Sequence, residues 1–103
     1  MYKGKDDEAL KEIKKLEKKK IDEETKLSLL LLKSKIMNRL GKCEKALTFA
    51  DTAVKSSKKL ILPLQELESL IQKTYALLYL DRIEEAFKII KKGEKKLDSI
   101  SNH

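Results

Sequence analysis

The 103-residue sequence is poor in the residues that form turns, cross-links and catalytic centres. It has three glycines, one proline, one cysteine, one histidine and no tryptophan, and only 5% of its residues are aromatic. A β-sandwich or β-barrel needs turn residues and β-branched runs at short intervals, so both fold classes are excluded. A disulfide scaffold is excluded as well, because Cys43 has no second cysteine in the chain to pair with.

Long apolar runs are also missing. The longest is the four leucines at positions 29–32, whereas a membrane-spanning helix needs about 20 apolar residues. Residues 1–8 are acidic where a secretory signal peptide would become apolar. We therefore expect no transmembrane segment and a reduced, cytoplasmic setting.

Residue patterns for catalysis or for metal binding are not found. The histidine is the last residue, His103, and Cys43 has no histidine near it, so we expect this cysteine to be a small buried apolar residue. No glycine-rich phosphate loop and no Cys/His metal spacing occurs. The sequence predicts a protein that is not an enzyme and that needs no cofactor or metal.

Charged residues are abundant: they make up 40% of the chain and leave a net charge of +7. All but two of the basic residues are lysines, in clusters at positions 18–20, 58–59, 91–92 and 95–96. We interpret these clusters as solvated C-terminal ends of helices, where they complement the helix dipole. Attraction to an acidic protein partner is a second interpretation. Nucleic acid or an anionic membrane is a weaker third, since arginine and interleaved aromatic residues are scarce.

An internal repeat organises the chain. At an offset of 40 residues, the segment 27–55 aligns without a gap on the segment 67–95. The alignment pairs the leucines at 27, 30 and 40 with the leucines at 67, 70 and 80, in that order, and it pairs Ala46 with Ala86. An offset of 37 adds the beginning of the chain, so two full units follow the second half of another.

Each unit predicts two helices, and the whole chain predicts five, at about 6–20, 23–40, 43–58, 63–80 and 82–98. Asp22 is expected to cap the second helix, Pro63 to lie in the first turn of the fourth, and Gly41 to take the positive φ that ends a helix. Small residues are expected where the two helices of a hairpin cross, as in the pairs Ser34 with Ala46 and Thr74 with Ala86. Ala53 and Gly93 are expected where one hairpin stacks on the next.

These residues resemble the tetratricopeptide repeat (TPR) family, in a longer variant with a 40-residue period. The matching motif consists of Leu30, Ser34, Met37, 40–42, 44–47, Ala50 and Ala53, and it recurs at Leu70, Thr74, Leu77, 80–82 and 84–87. The resemblance implies an all-α, right-handed α-solenoid of antiparallel helical hairpins. It implies a single domain over residues 1–103, made of a half repeat (4–20), two repeats (23–58 and 63–98) and a tail (99–103).

The resemblance also implies a binding groove, because the first helix of each hairpin lines such a groove in the family. The expected groove residues are Lys35, Asn38 and Arg39 on the second helix and Tyr75 and Tyr79 on the fourth. Aromatic residues beside basic and amide groups suit a peptide or helix with acidic character. The leading hypothesis is therefore a non-enzymatic interaction or scaffold module.

Self-assembly is the main alternative, because a solenoid generally needs about three repeats and polar caps to stand alone. The last helix carries apolar residues that no following helix covers: Phe87, Ile89, Ile90, Leu97 and Ile100. Phe87, Ile90 and Leu97 are the expected self-association residues. Such ends would stack on another copy, exchange helices, or continue into a longer protein.

Overall fold

Five α-helices form the computed structural model, which describes the backbone of residues 2–101 and the side chains of residues 4–101. They are α1 (Tyr2–Glu17), α2 (Glu23–Arg39), α3 (Cys43–Lys59), α4 (Pro63–Tyr79) and α5 (Ile83–Ser101). No strand occurs among these residues, so the predicted all-α class is confirmed. The prediction was wrong at both ends of the chain: α1 lies several residues earlier than expected, and α5 continues through residues 99–101 of the predicted tail.

Consecutive helices pack as antiparallel neighbours, with α2 on α3, α3 on α4 and α4 on α5. Helix α2 also contacts α4 and α1, whereas no Cα atom of α3 lies within 8 Å of one in α5. The Cα atoms span 38 × 33 × 19 Å, and the shortest extent corresponds to two layers of helices. Helices α2 and α4 therefore form one layer, and α3 and α5 lie separately on top of it.

The three links between α2 and α5 have the same geometry and recur every 20 residues. In each link the C-cap residue of the helix is followed by a residue with positive φ: Gly41 (78°), Ile61 (56°) and Asp81 (61°). The amide of the next residue donates to the carbonyl five residues earlier, as in Lys42 N to Met37 O at 2.8 Å. This pattern is the Schellman motif, and it ends all three helices in the same way.

Ile61 is the residue least suited to its position in these links. Positive φ is rare for a β-branched side chain, and the Ile61 side chain is 83% exposed, so it gains little packing there. Replacing Ile61 with asparagine, which tolerates this conformation, is expected to raise the free energy of unfolding by about 1 kcal/mol. Urea denaturation followed by circular dichroism measures the change.

Gly41 supplies the matched control, since it occupies the equivalent position with the preferred residue. A Cβ added at Gly41 would meet no atom within 4 Å, so Gly41→Ala tests the backbone conformation alone. It is expected to lower the free energy of unfolding by about 1 kcal/mol. A destabilising Ile61→Asn substitution would show that the link at Ile61 is not strained.

The predicted caps are confirmed. The Asp22 carboxylate accepts a hydrogen bond from the Thr25 amide at 2.7 Å, at the start of α2. This bond lowers the pKa of Asp22, because it favours the charged form. Pro63 occupies the first turn of α4, where its missing N–H removes no helical hydrogen bond.

One apolar cluster joins the two hairpins. It contains Met37 of α2, Leu47 of α3, Leu77 of α4 and Ile89 of α5, together with Cys43 and several alanines. A smaller cluster around Ile13 attaches α1 to α2. Because α2 to α5 share one cluster, the hairpins cannot bury their apolar faces independently.

The predicted small-residue crossing is confirmed in the first hairpin. Ser34 and Ala46 are both fully buried, and the Ser34 hydroxyl donates to the Ala46 carbonyl at 2.8 Å. In the second hairpin Ala86 is fully buried, but the Thr74 hydroxyl donates to Leu70 O within its own helix. Gly93 lies beside Leu67 of α4, within its own hairpin and not between hairpins as expected, and a Cβ there would make an ordinary contact of 3.7 Å with Leu67 Cδ1.

Candidate functional site

Two of the predicted groove residues lie in the seam between α2 and α4. Lys35 Nζ is 3.9 Å from a carboxylate oxygen of Glu68. Asn38 Nδ2 donates at 3.1 Å to both the backbone oxygen and the side-chain oxygen of Gln72. These contacts use the polar atoms of Lys35 and Asn38 to hold α4 beside α2.

Arg39 contacts α1, on the other side of α2. Its guanidinium donates to the Asp6 carboxylate at 2.8 Å, and Asp6 is buried. Lys33 makes a second ion pair with α1, to Glu17 at 2.6 Å. These two ion pairs add to the apolar cluster around Ile13 in holding α1 against α2.

Tyr75 and Tyr79 remain exposed, at 50% and 72%. Tyr75 lines a cavity of about 350 Å³ between α4 and α5, together with Gly93 and Leu97. Tyr75 therefore lies on the side of α4 that faces α5. Tyr79 does not line this cavity, and it follows Gln72 by seven residues, about two helical turns, so it lies on the same face of α4 as Gln72.

An exposed apolar surface lies on the α5 side of the second hairpin, and we call it the terminal face. Its members are large apolar side chains that the chain leaves exposed: Ile71, Tyr75 and Leu78 on α4, and Ile83, Phe87, Ile90 and Leu97 on α5. All three residues expected to mediate self-association are among them. Ile89 is not, because it is buried in the shared cluster, and that part of the expectation was wrong.

The internal repeat shows what this surface looks like when it is covered. Forty residues before Phe87, Ile90 and Leu97 stand Leu47, Ala50 and Ser57 of α3. The α5 residues are 60%, 38% and 50% exposed, whereas their α3 equivalents are 8%, 0% and 0% exposed. The difference follows from position: α4 packs on α3, and nothing in the described residues packs on α5 in the same way.

The residue types on the terminal face differ from those on its covered counterpart. Ile83, Phe87 and Ile90 replace the smaller Cys43, Leu47 and Ala50. Glu94 is the only charged residue that lines the cavity beside Leu97. The terminal face is therefore more apolar than the covered surface at the equivalent positions of α3.

The residues considered for chemistry do not assemble into a centre. Cys43 is buried in the shared cluster, as predicted, and His103 lies outside the described residues. Among the residues that the structure describes, no three histidine, cysteine, aspartate or glutamate side chains are grouped so that they could hold a metal ion. Within the same part of the chain, no helix has the length and apolar character to span a membrane.

Comparison with known proteins gives no relatives: the chain matches no protein-family model, no curated protein and no solved structure. The assignment of a function therefore depends on the surfaces of this molecule itself.

Proposed function

We propose that this chain is a non-enzymatic protein–protein interaction module that receives an amphipathic helix of another protein on its terminal face. The proposal includes a TPR-like, right-handed solenoid arrangement of the hairpins and a cytoplasmic location. The repeat motif supports the arrangement, and the helix bounds agree with it, because α4 begins 40 residues after α2 and α5 begins 40 residues after α3.

The burial difference between Phe87 and Leu47 is the observation that carries the proposal. On the first hairpin, a helix (α4) covers the surface at Leu47, so a helix is the kind of element that fits the equivalent surface at Phe87. Covering several large apolar side chains would remove a substantial apolar area from water, which is the main driving force for association.

A helix from another protein is favoured over a second copy of this chain. The α4 residues that cover α3, including Leu70 and Leu77, are already buried in the shared cluster. A second copy could not offer that stripe without unfolding or exchanging a helix, so folded copies would have to use another surface, such as the terminal face itself. Self-assembly of that kind is the alternative that the experiment must separate.

Photo-crosslinking tests the proposal directly. A benzophenone side chain in place of Phe87 would label the segment that covers the terminal face in cells, and mass spectrometry would identify it. We expect an amphipathic helix of another protein. The purified segment should bind the wild-type chain, and Ile90→Glu should weaken this binding at least tenfold, because it buries a charge in the interface.

Leu32→Glu is the matched control, because Leu32 is exposed to a similar extent (41%) but lies on α2. It should leave binding within about twofold of the wild type. Sedimentation equilibrium settles the alternative: a dimer of the wild-type chain that Ile90→Glu dissociates would assign the terminal face to self-association and contradict the proposal. The proposal would also be contradicted if Leu32→Glu and Ile90→Glu weakened the binding of the helical segment equally.

A further inference from the structure

A second surface lies on the opposite side of α5, in the gap between α3 and α5. Two adjoining cavities, of about 390 and 300 Å³, share Lys73, Ile89 and Lys92 and form one groove. Helix α4 lies at the bottom of the groove, because no Cα atom of α3 is within 8 Å of one in α5 and Lys73, Leu70 and Leu77 of α4 line it. Along α5 the groove extends from Arg82 to Ser99, a distance of about 25 Å at 1.5 Å per residue.

The groove is strongly basic. Its basic lining residues are Lys58, Lys73, Arg82, Lys88, Lys92, Lys95 and Lys96, and its acidic ones are Asp51, Glu66 and Glu85. Each acid is already paired with a base of the groove: Asp51 with Lys73 at 2.7 Å, Glu66 with Lys96 at 3.1 Å, and Glu85 with Arg82. The excess positive charge therefore comes from the remaining lysines.

Four lysines carry this excess: Lys58, Lys88, Lys92 and Lys95. They make no ion pair with the residues that the structure describes. The three on α5 are spaced by four and three residues, which places them on one face of the helix. Lys58 adds a charge from α3, across the groove.

The lysines on α5 are not explained by the end of a helix, whereas Lys58 lies in the last turn of α3. We expected the clusters at 91–92 and 95–96 to lie at a C-terminal helix end, but α5 continues to Ser101 and its last turn has no basic residue. The repeat pairs Lys95 with Lys55, but Thr48 and Thr52 stand where α5 has Lys88 and Lys92. Lys88 and Lys92 are therefore specific to α5.

The deepest side chains of the groove are apolar: Leu47, Val54, Leu70, Leu77 and Ile89. All but Val54 are buried in the shared cluster and only 1–8% exposed, so the lysines dominate the surface that an occupant meets. An occupant with apolar side chains beside its negative charges fits both the lysines and this floor. A nucleic acid suits this surface poorly, since no aromatic residue lines the groove for base stacking and Arg82 is held by Glu85.

We propose that the groove between α3 and α5 binds an acidic amphipathic segment of a protein partner. Its carboxylates pair with Lys58, Lys88, Lys92 and Lys95, and its apolar side chains lie on the floor. The groove is independent of the terminal face, so one partner can occupy it while another covers the other side of α5. The length of the groove fits about 16 residues of a helical ligand.

Fluorescence anisotropy with a synthetic probe tests the proposal. The probe is a labelled 16-residue helical peptide with a glutamate stripe beside a leucine stripe, and we expect it to bind the full chain at low salt. The triple substitution Lys88→Gln, Lys92→Gln and Lys95→Gln should weaken binding at least tenfold, because three ion pairs are lost. Increasing salt should weaken binding to the wild-type chain as well.

The matched control removes the same charge elsewhere. Lys11→Gln, Lys14→Gln and Lys45→Gln change three exposed lysines outside the groove that form no ion pair in the described structure, and they should weaken binding less than threefold. Equal weakening by both triple variants would show that only net charge matters and would overturn the proposal. It is also overturned if the peptide with glutamine in place of leucine binds as tightly, or if a 16-nucleotide single-stranded DNA binds more tightly than the peptide. All of the substitutions are on the surface, so thermal unfolding confirms that the variants are folded.

Discussion

Leu47→Ala is expected to lower the free energy of unfolding by about 3 kcal/mol, whereas Phe87→Ala should lower it by less than about 1 kcal/mol. The two residues are equivalent in the repeat, and phenylalanine is the larger. The order is reversed because α4 covers Leu47, while most of the Phe87 surface remains in water. Truncating Leu47 leaves a cavity in the shared cluster, and truncating Phe87 removes a side chain that packs little.

Urea denaturation of the two variants, with two-state analysis, measures this difference. Ala50→Gly provides a control for backbone effects in α3, with an expected loss of about 1 kcal/mol from helix propensity. Addition of the helix identified by crosslinking extends the test, because a bound ligand stabilises the folded state. The helix should stabilise the Phe87→Ala variant much less than it stabilises the wild-type chain. Equal losses from Leu47→Ala and Phe87→Ala without a partner would mean that the terminal face is already covered, for example by a second copy.

Ala46→Leu is expected to be the other severe substitution, with a loss of about 3 kcal/mol. Ala46 lies at the crossing of α2 and α3, where it has no exposed surface and its carbonyl accepts the Ser34 hydroxyl. Three additional carbon atoms would force the helices apart and would break this hydrogen bond. The same separation would disturb the neighbouring Cys43 and Leu47 in the shared cluster.

Ser34→Ala distinguishes crowding from loss of the hydrogen bond. It removes the hydroxyl but leaves the crossing open, so the expected loss is about 1 kcal/mol. Thermal unfolding measures both variants, and 1 kcal/mol corresponds to a Tm shift of roughly 4–8 °C in a chain of this size. If the Ala46→Leu variant had the same Tm as the Ser34→Ala variant, the close approach of α2 and α3 would not be a requirement of the fold.

The helices from α2 to α5 were predictable because the sequence has residues that start or end a helix at their boundaries. Asp22, Gly41 and Pro63 are a cap, a positive-φ residue and an N-terminal proline, and each acts through its own backbone or its immediate neighbours. Helix α1 has no such capping residues: Gly4 lies inside it, and the lysines at 18–20 follow its end. The repeat also could not reveal that Ile61 takes the same positive φ as Gly41 and Asp81.

The candidate surfaces were less predictable than the helices. Periodicity assigned Lys35 and Asn38 to an exposed stripe of α2, but it could not show that Glu68 and Gln72 of α4 would meet them there. The basic groove was missed altogether, since Lys58 and Lys92 come from different helices. In the sequence, the equal numbers of acids and bases after residue 60 concealed it.

The sequence by itself determined the all-α class, the hairpin boundaries and the apolar stripes, because these depend on interactions within a few residues along the chain. It also indicated that Phe87, Ile90 and Leu97 would lack a cover. Only the tertiary structure decided which charges neutralise one another, which lysines remain unpaired, and which copy of the repeated surface is buried. These properties depend on contacts between residues far apart in the chain. The scarcity of turn residues thus made the helices predictable, and the packing of those helices decided which apolar and basic surfaces remain exposed.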